Sequence, residues 1–514
     1  MTGETYDVRP TPPDSTQWFD PRNPALWVFI ALALPGLWLL SGSVRIAFTA
    51  YPSAATAAAV LFTAYTVPFI IVLRRLDYLE REPPVLTAMA FGWGGVVASM
   101  AAVDGGHAVQ GMLAKLVSPT FAATWGPAIG PPAIEEVLKA LGVVLVVLLA
   151  RAHVNSTVDG FVYGAFVGLG FQVVEDFVYA VGATAWSRGG DDIAPVISTF
   201  IVRGFLTGLW SHTVFTALAG GGIAYAVVNT RLPMARRFGV AAGAVGAAIA
   251  AHALWNSPLL RDGFGFGGIG IVGALFIKGL PVFLLVWFLF SRAYRTEAAY
   301  YGEQLAQYDG TPLVRPGELT ALLSYREREA ARRHAQSLKG RKGTRAAQAV
   351  RRLQHLQTRL SVLSSRYPES PKWVLETLQN PPTHQWLQSE RARLGGLAAR
   401  RELPPARRRE QLHRVAVQRC VVDLLAQRSR LEHLDLPVAV GTNQKRSPMA
   451  PWALGLAVLG VLVPGAGAFA IVAALMATRG HLPSDGLAVA AFAVGALTTT
   501  GWLLAFVLLR LGAG

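Results

Sequence analysis

Four short patterns place acids and imidazoles inside apolar segments of this chain. They are Glu135-Glu136-x-x-Lys139, Phe171-x-x-x-Glu175, His212 and His252-x-x-x-Asn256. An ionisable side chain in hydrocarbon costs roughly 2.5–3.5 kcal/mol even on the mildest scale, so residues of this kind in a membrane indicate a function. Of the 10 histidines, only His212 and His252 lie within hydrophobic segments. These residues are therefore the candidate functional set.

Their chemical types allow two ways of hydrolysing an amide. In the first, a glutamate acts as general base toward water while His252 and Asn256 stabilise the oxyanion. In the second, Glu175, His212 and His252 bind a divalent metal, zinc being the first choice, and leave an open position for water. The sequence has no HExxH motif and no nucleophile elbow, and its single cysteine, Cys420, lies in a polar stretch, which argues against thiol catalysis.

Each pattern also has a purely structural interpretation. The glutamate pair follows Pro131-Pro132, so both acids could belong to the first turn of a helix, where the dipole favours them. Glu175 could form an ion pair with Arg203. The two histidines could be hydrogen-bonded packing residues, and the last pattern could be a helix cap. If all four structural interpretations held, four unrelated residue patterns would lie at the same depth in the membrane by coincidence.

The composition is that of a membrane protein. The chain is 52% hydrophobic and 15% charged, with a mean hydropathy of +0.38, whereas soluble domains carry about 25% charged residues. A membrane helix needs about 20 apolar residues, and ten segments approach or exceed that length. The first segment is the shortest and could lie in the membrane interface instead. The prediction is an all-α, polytopic transmembrane helix bundle with spans at Ala25–Leu40, Ala54–Leu73, Val85–Val103, Ala133–Ala150, Gly160–Ala183, Val196–Val228, Phe238–Trp255, Ile271–Phe290, Trp452–Met476 and Leu487–Leu509.

Polarity divides the chain into four regions. A polar N-terminal segment (1–24) precedes a membrane-embedded core of about eight spans (25–290), a basic insertion (291–447) and a two-span hairpin (448–514). The insertion holds 29 Lys and Arg against 14 Asp and Glu. Its surplus of 15 positive charges is nearly the whole net charge of the chain, which is +16. Since cytoplasmic loops collect basic residues, we expect the insertion and both termini to be cytoplasmic.

This topology brings the four patterns to one depth, because consecutive membrane helices run in opposite directions. The glutamate pair begins the fourth span on the outer side, Glu175 lies in the outer half of the fifth, and His252 with Asn256 closes the outer end of the seventh. His212 reaches the same level if the first turns of the long sixth segment lie along the outer surface. Within the patterns the spacing keeps residues on one helix face, and Lys139 can reach back to either glutamate.

In this order on successive helices, the patterns resemble the PrsW intramembrane proteases, relatives of the CAAX-processing and bacteriocin-processing membrane proteases. The resemblance covers about Ala54 to Phe290. It implies an integral peptidase of the plasma membrane, of bacterial origin, and a membrane-bound protein substrate such as an anti-sigma factor. The family is often labelled metalloprotease, whereas its CAAX-type relatives have been argued to be glutamate-dependent and metal-free, so both mechanisms stay open.

The resemblance also implies a role for each matching residue. Either Glu135 or Glu136 activates water. Glu175 and His212 assist that step or bind a metal, and His252 with Asn256 stabilises the intermediate. Lys139 and Phe171 have supporting positions.

The insertion lies outside the resemblance. Leu and Val recur at helical spacing among Arg and Gln in Ser324–Arg366 and Ser389–Leu436, which predicts helices with basic faces. Each basic residue near an anionic membrane surface contributes about 1 kcal/mol to binding, so anionic lipid headgroups are the expected partner and a protein partner is second. No base-reading motif supports specific binding of nucleic acid.

Two other functions use the same residues. Intramembrane Glu and His chains also serve as proton or cation relays in transporters, although the sequence shows no inverted repeat. A non-catalytic scaffold of the same fold is the second alternative.

Overall fold

A computed structural model describes residues 21–77, 79–187, 189–207, 211–265, 267–337, 341–399 and 404–433. This part of the chain is helical and contains no β-strand, so the all-α prediction is confirmed. The predicted ninth and tenth spans lie outside the described residues. Two compact units divide the described residues: a membrane unit, up to Leu76 and from Glu82 to Arg292, and a polar unit, Asp77–Arg81 and the residues from Ala293 onward.

Ten helices belong to the membrane unit, the last of which runs on past Arg292. They are α1 (Pro24–Ala50), α2 (Pro52–Leu76), α3 (Pro84–Gly92), α4 (Ser99–Leu116), α5 (Pro119–Leu149), α6 (Thr157–Trp186), α7 (Ala194–Thr199), α8 (His212–Val228), α9 (Met234–Asn256) and α10 (Gly267–Ala306). A π-helical turn, Trp93–Ala98, joins α3 to α4, and a second one, Phe200–Thr207, follows α7.

Six helices in the described part are long and apolar enough to cross a membrane. They are Pro24–Ala50, Pro52–Leu76, Pro84–Leu116, Thr157–Trp186, Met234–Asn256 and Gly273–Ala306. These six correspond to six of the eight spans predicted for this region. The other two predicted spans lie in α5, which carries the glutamate pair, and in the interrupted segment from α7 to α8.

Helix α5 begins much earlier than the sequence predicted. It starts at Pro119 instead of Ala133 and continues through three internal prolines. The side chain of Ser118 caps its first turn by accepting from the Phe121 amide at 3.1 Å. Glu135 and Glu136 therefore lie in the interior of a 31-residue helix, and their interpretation as first-turn acids is wrong.

The predicted sixth span is interrupted, and the interruption places His212 at the first position of α8. Helix α8 packs closely on α6 along a row of glycines spaced four residues apart. A Cβ atom added at Gly160, Gly164 or Gly168 would lie 2.2 Å from a backbone oxygen of α8, and at Gly168 that oxygen belongs to His212. Small residues allow this close approach of membrane helices, and here they fix the backbone of His212 against α6.

The polar unit has its own hydrophobic core. Its helices are α11 (Glu318–Leu323), α12 (Tyr325–Gln336), α13 (Arg341–Arg366), α14 (Ser370–Gln379), α15 (His384–Ala399) and α16 (Pro405–Glu432). Leucines of α13 pack with Trp373 of α14 and with Val417 and Cys420 of α16. Burial raises the pKa of the Cys420 thiol to about 12, so the thiolate required for nucleophilic attack is scarce at neutral pH.

Candidate active site

Three of the four sequence patterns meet in one buried cluster, and the fourth contacts this cluster through Glu175. Ligand atoms of Glu135, Glu136, His212 and His252 all lie within 4.8 Å of one another, and each of the four residues is buried. They come from α5, α8 and α9, so residues more than 110 positions apart in the chain share one site. The prediction that the patterns form a single site is consistent with this arrangement.

Lys139 supplies a positive charge among these groups. Its Nζ lies 2.6 Å from Glu136 Oε1, 2.8 Å from His212 Nδ1 and 3.5 Å from Glu135 Oε2. The ammonium also lies 4.2 Å from the centroid of the Phe171 ring, a distance at which a cation is attracted to the ring face. The lysine therefore reaches back to both glutamates, and its side chain is fully buried.

Glu175 holds the opposite side of the His212 ring. Its Oε2 is 2.8 Å from His212 Nε2 and 2.5 Å from Arg203 Nη2, so the predicted ion pair exists in addition to the contact with the imidazole. The Arg203 Nε donates to Asp176 Oδ1 at 2.5 Å. One guanidinium thus fixes two adjacent carboxylates of α6, and Glu175 in turn orients His212 with Nδ1 toward Lys139.

The geometry also identifies the tautomer of His252. Pro131 has no N–H, so the carbonyl of Pro127, four residues earlier in α5, lacks its helical partner; the Asn256 side chain supplies one at 3.1 Å. A carbonyl only accepts, so the Asn256 atom facing it is the amide nitrogen. That nitrogen is also 3.1 Å from His252 Nε2. The proton of the neutral imidazole is therefore on Nδ1, which faces Glu136 Oε1 at 2.9 Å.

The two adjacent glutamates differ in how many partners they have. Glu136 is 0% exposed and accepts from Lys139, His252 and, at 3.4 Å, Thr216 Oγ1. Glu135 is 6% exposed, and its distances to Lys139 and the two histidine rings are 3.5, 3.8 and 4.0 Å. Glu136 is therefore the counter-ion of Lys139 and is fixed by its hydrogen bonds. Glu135 has only long contacts and keeps lone pairs free for another group.

The predicted metal ligands and the observed group overlap in part. His212 and His252 belong to the cluster, but Glu175 lies on the other nitrogen of His212, and the two glutamates of α5 take its place. The carboxylate and imidazole donors of this cluster are ligands that zinc accepts. A glutamate on the second imidazole nitrogen is a common support for a zinc-bound histidine, so the donor types fit such an ion, which would take the place of the Lys139 ammonium at Glu136 and at His212 Nδ1.

Two polar residues near the site were not identified from the sequence. Thr216 contacts Glu136 from the helix turn that follows His212, and nothing in its sequence context distinguishes it. Lys278 lies in the apolar part of α10 and donates to the carbonyl of Ser257 at 2.8 Å, directly after α9. A lysine within an apolar span is a signal that the sequence does contain.

The fold and the site together define a class of protein, namely a helical membrane protein with a buried cluster of glutamates and histidines. Residues 82–290 match the family model described as PrsW family intramembrane metalloprotease. The predicted resemblance is thus confirmed, over a range that begins later than Ala54. No curated protein and no solved structure is similar enough to this chain to count as a match.

Proposed function

We propose that this protein is an intramembrane protease that hydrolyses a peptide bond of a membrane-associated protein. One observation carries the proposal: two glutamates and two histidines have their ligand atoms within 4.8 Å of one another, inside the part of the chain that matches the PrsW family. The cluster contains both an acid that can take a proton from water and groups that can stabilise the charge that develops.

Glu135 is the residue to which we assign the proton of water. It has only long contacts with its neighbours, so one carboxylate oxygen can accept a hydrogen bond from water in the position for attack. The water oxygen attacks the carbonyl carbon of the peptide while its proton passes to Glu135. When the C–N bond breaks, the same proton passes to the leaving nitrogen, and the carboxylate is regenerated.

The other residues of the cluster compensate buried charge and orient the side chains that take part in this reaction. Lys139 compensates the charge of Glu136, which keeps a second carboxylate buried beside the first. Both hydrogens of the Asn256 amide are directed at Pro127 and His252, so we assign Asn256 the role of orienting His252. The Nδ1–H of His252 faces Glu136, so it can donate to a developing oxyanion once it shifts from that carboxylate.

A divalent metal, zinc by preference, would be held by Glu135, Glu136 and His212, with Glu175 behind His212; His252 would join them only after its proton moves from Nδ1 to Nε2 and the Asn256 amide turns away. Bound there, zinc would act as a Lewis acid and lower the pKa of a bound water toward ~7. His212 suits this role because its Nε2 faces Glu175, so that the Nδ1 lone pair points into the cluster, where a metal would replace the Lys139 ammonium at 2.8 Å.

For the wider setting we propose a bacterial plasma membrane, cytoplasmic termini and an anti-sigma-factor-like substrate, on the strength of the family resemblance alone. For the polar unit we propose contact with anionic lipid headgroups. Its helix α13 buries leucines in the core and exposes Arg345, Arg352 and Arg359 at intervals of seven residues. Such a stripe supports the proposal, because a row of basic side chains on one helix face can contact anionic headgroups.

The proposal is tested by reconstituting the purified full-length protein in liposomes with candidate single-span membrane proteins. We expect cleavage, located by mass spectrometry of the products, and its loss in the Glu135→Gln variant. The continuous contacts from Arg203 through His212 to Asn256 also suit a proton relay. A pH-sensitive dye inside the same liposomes would report proton movement, and proton flux without cleavage by any candidate would favour that second function.

A further inference from the structure

Lys278 is a buried cation in an apolar helix, outside the four sequence patterns. It is 7% exposed and is one of only two buried lysines in the described part of the chain, the other being Lys139. It lies within Gly273–Ala306, one of the six helices apolar enough to cross a membrane. A charge in such a place is costly unless it is compensated, and this cost calls for a specific partner.

The partners of Lys278 are backbone oxygens at the end of α9. Its Nζ lies 2.8 Å from the Ser257 carbonyl and 3.5 Å from the Trp255 carbonyl. The last four carbonyls of a helix have no partner within it, and a cation at this end is favoured by the helix dipole. Lys278 therefore binds the chain on both sides of Asn256, the last residue of α9.

Packing beside the lysine keeps α10 against the same turn. Val282, one helical turn after Lys278, lies with Trp255 against a cluster of Phe215, Ala248 and Ala251. The Phe215 ring stacks on His252 with a centroid distance of 5.4 Å. The apolar contact and the charged contact of α10 thus converge on the turn that carries His252 and Asn256.

We infer that Lys278 is a positioning residue that fixes the C-terminal turn of α9, and through it the side chain of Asn256. Asn256 must bridge Pro127 in α5 and His252 in α9 at 3.1 Å each, a geometry that a frayed turn would not keep. His252 itself lies a full turn earlier and is held by Glu136 and Phe215. Loss of Lys278 should therefore release Asn256 and leave the His252 ring between Glu136 and Phe215, but without the amide that orients its Nε2.

The kinetic test of this inference rests on the proposed protease function. A hydrogen-exchange test is added because it does not depend on activity. Hydrogen exchange of the backbone amides at the end of α9 should be faster in Lys278→Met than in the parent protein. Lys115→Met is the matched control, because Lys115 is an exposed lysine in the last turn of α4, and it should leave exchange in α9 unchanged. Unchanged exchange in Lys278→Met would overturn the anchoring role whether or not the protein is a protease.

The kinetic test is a double-mutant cycle. We expect Lys278→Met and Asn256→Ala each to lower kcat by ~10–100-fold, the usual effect of losing a group that orients a functional histidine, with KM little changed. The double variant should lose no more than Asn256→Ala alone, since both changes remove the same contact. Losses that multiply would show that Lys278 acts elsewhere and would overturn the inference.

A milder variant covers the case in which Lys278→Met does not fold. Lys278→Gln retains an N–H donor toward the carbonyls without the charge, and its smaller loss should again be absent in an Asn256→Ala background. If the parent protein cleaves no substrate, the proposed function fails while the exchange measurement still decides the role of Lys278.

Discussion

Replacing each of the two adjacent glutamates by glutamine should separate catalysis from stability. Glu136 and Lys139 form an ion pair at 2.6 Å in which both side chains are 0% exposed. Removing one partner of a buried ion pair costs about 3–5 kcal/mol because the other charge is left uncompensated. We expect Glu136→Gln to fall at the lower end of that range, since Glu135 remains 3.5 Å from the ammonium.

Glu135→Gln should behave in the opposite way. Its contacts with Lys139 and the histidines are 3.5–4.0 Å long, so their loss should cost about 1 kcal/mol or less. The rate should nevertheless fall by ~10²–10⁴, which is the usual contribution of a general base.

The assay combines thermal unfolding of the purified protein in detergent with the rate of substrate cleavage in liposomes. Glu136→Gln should lower both the melting temperature and the rate, whereas Glu135→Gln should lower the rate alone. A Glu135→Gln protein that cleaves at the parent rate, or a Glu136→Gln protein with an unchanged melting temperature, would refute this division of roles.

Three further predictions concern the metal, the helix packing and the polar unit. Glu175→Gln should weaken zinc binding, measured by titration calorimetry, by ~10–100-fold because it supports the His212 ring; full activity of demonstrably metal-free protein would contradict a metal role. Gly168→Ala should lower the melting temperature because its Cβ would lie 2.2 Å from the His212 oxygen, whereas Gly182→Ala on the same helix, with nothing within 4 Å, should not. Burial lowers the pKa of His413 in the folded protein to about 4. As the pH falls below ~6.5, the unfolded chain therefore binds a proton at this histidine before the folded protein does, and the stability should decrease toward pH 4. A His413→Gln protein should lack this part of the pH dependence in thermal melts, and a variant with the same pH dependence as the parent would contradict the prediction.

The candidate residues could be found from the sequence because ionisable groups are rare in apolar helices. This rarity singles out Glu135, Glu136, His212 and His252, and the structure places all four in one cluster. Their order along the chain also carried the family resemblance, which the match over residues 82–290 confirms. Helix content was equally predictable, since apolar runs of this length have no alternative in a bilayer.

The interruptions and continuities of the helices could not be predicted. The prolines before Glu135 suggested a helix start, yet α5 continues through them, because partners from elsewhere can satisfy the carbonyls that proline releases. Asn256 supplies one of these partners at Pro127. The sixth apolar segment, conversely, looked continuous and is broken before His212.

The sequence by itself therefore determined which residues could do chemistry and that membrane helices carry them, because the cost of a charge in hydrocarbon is a local property of the chain. Only the tertiary structure decided the roles within that set. Whether Glu135 or Glu136 has free lone pairs, and whether Glu175 faces the cluster or Arg203, depends on distances between helices that are far apart in the sequence. The same holds for Lys278, whose partners lie more than 20 residues away at the end of α9.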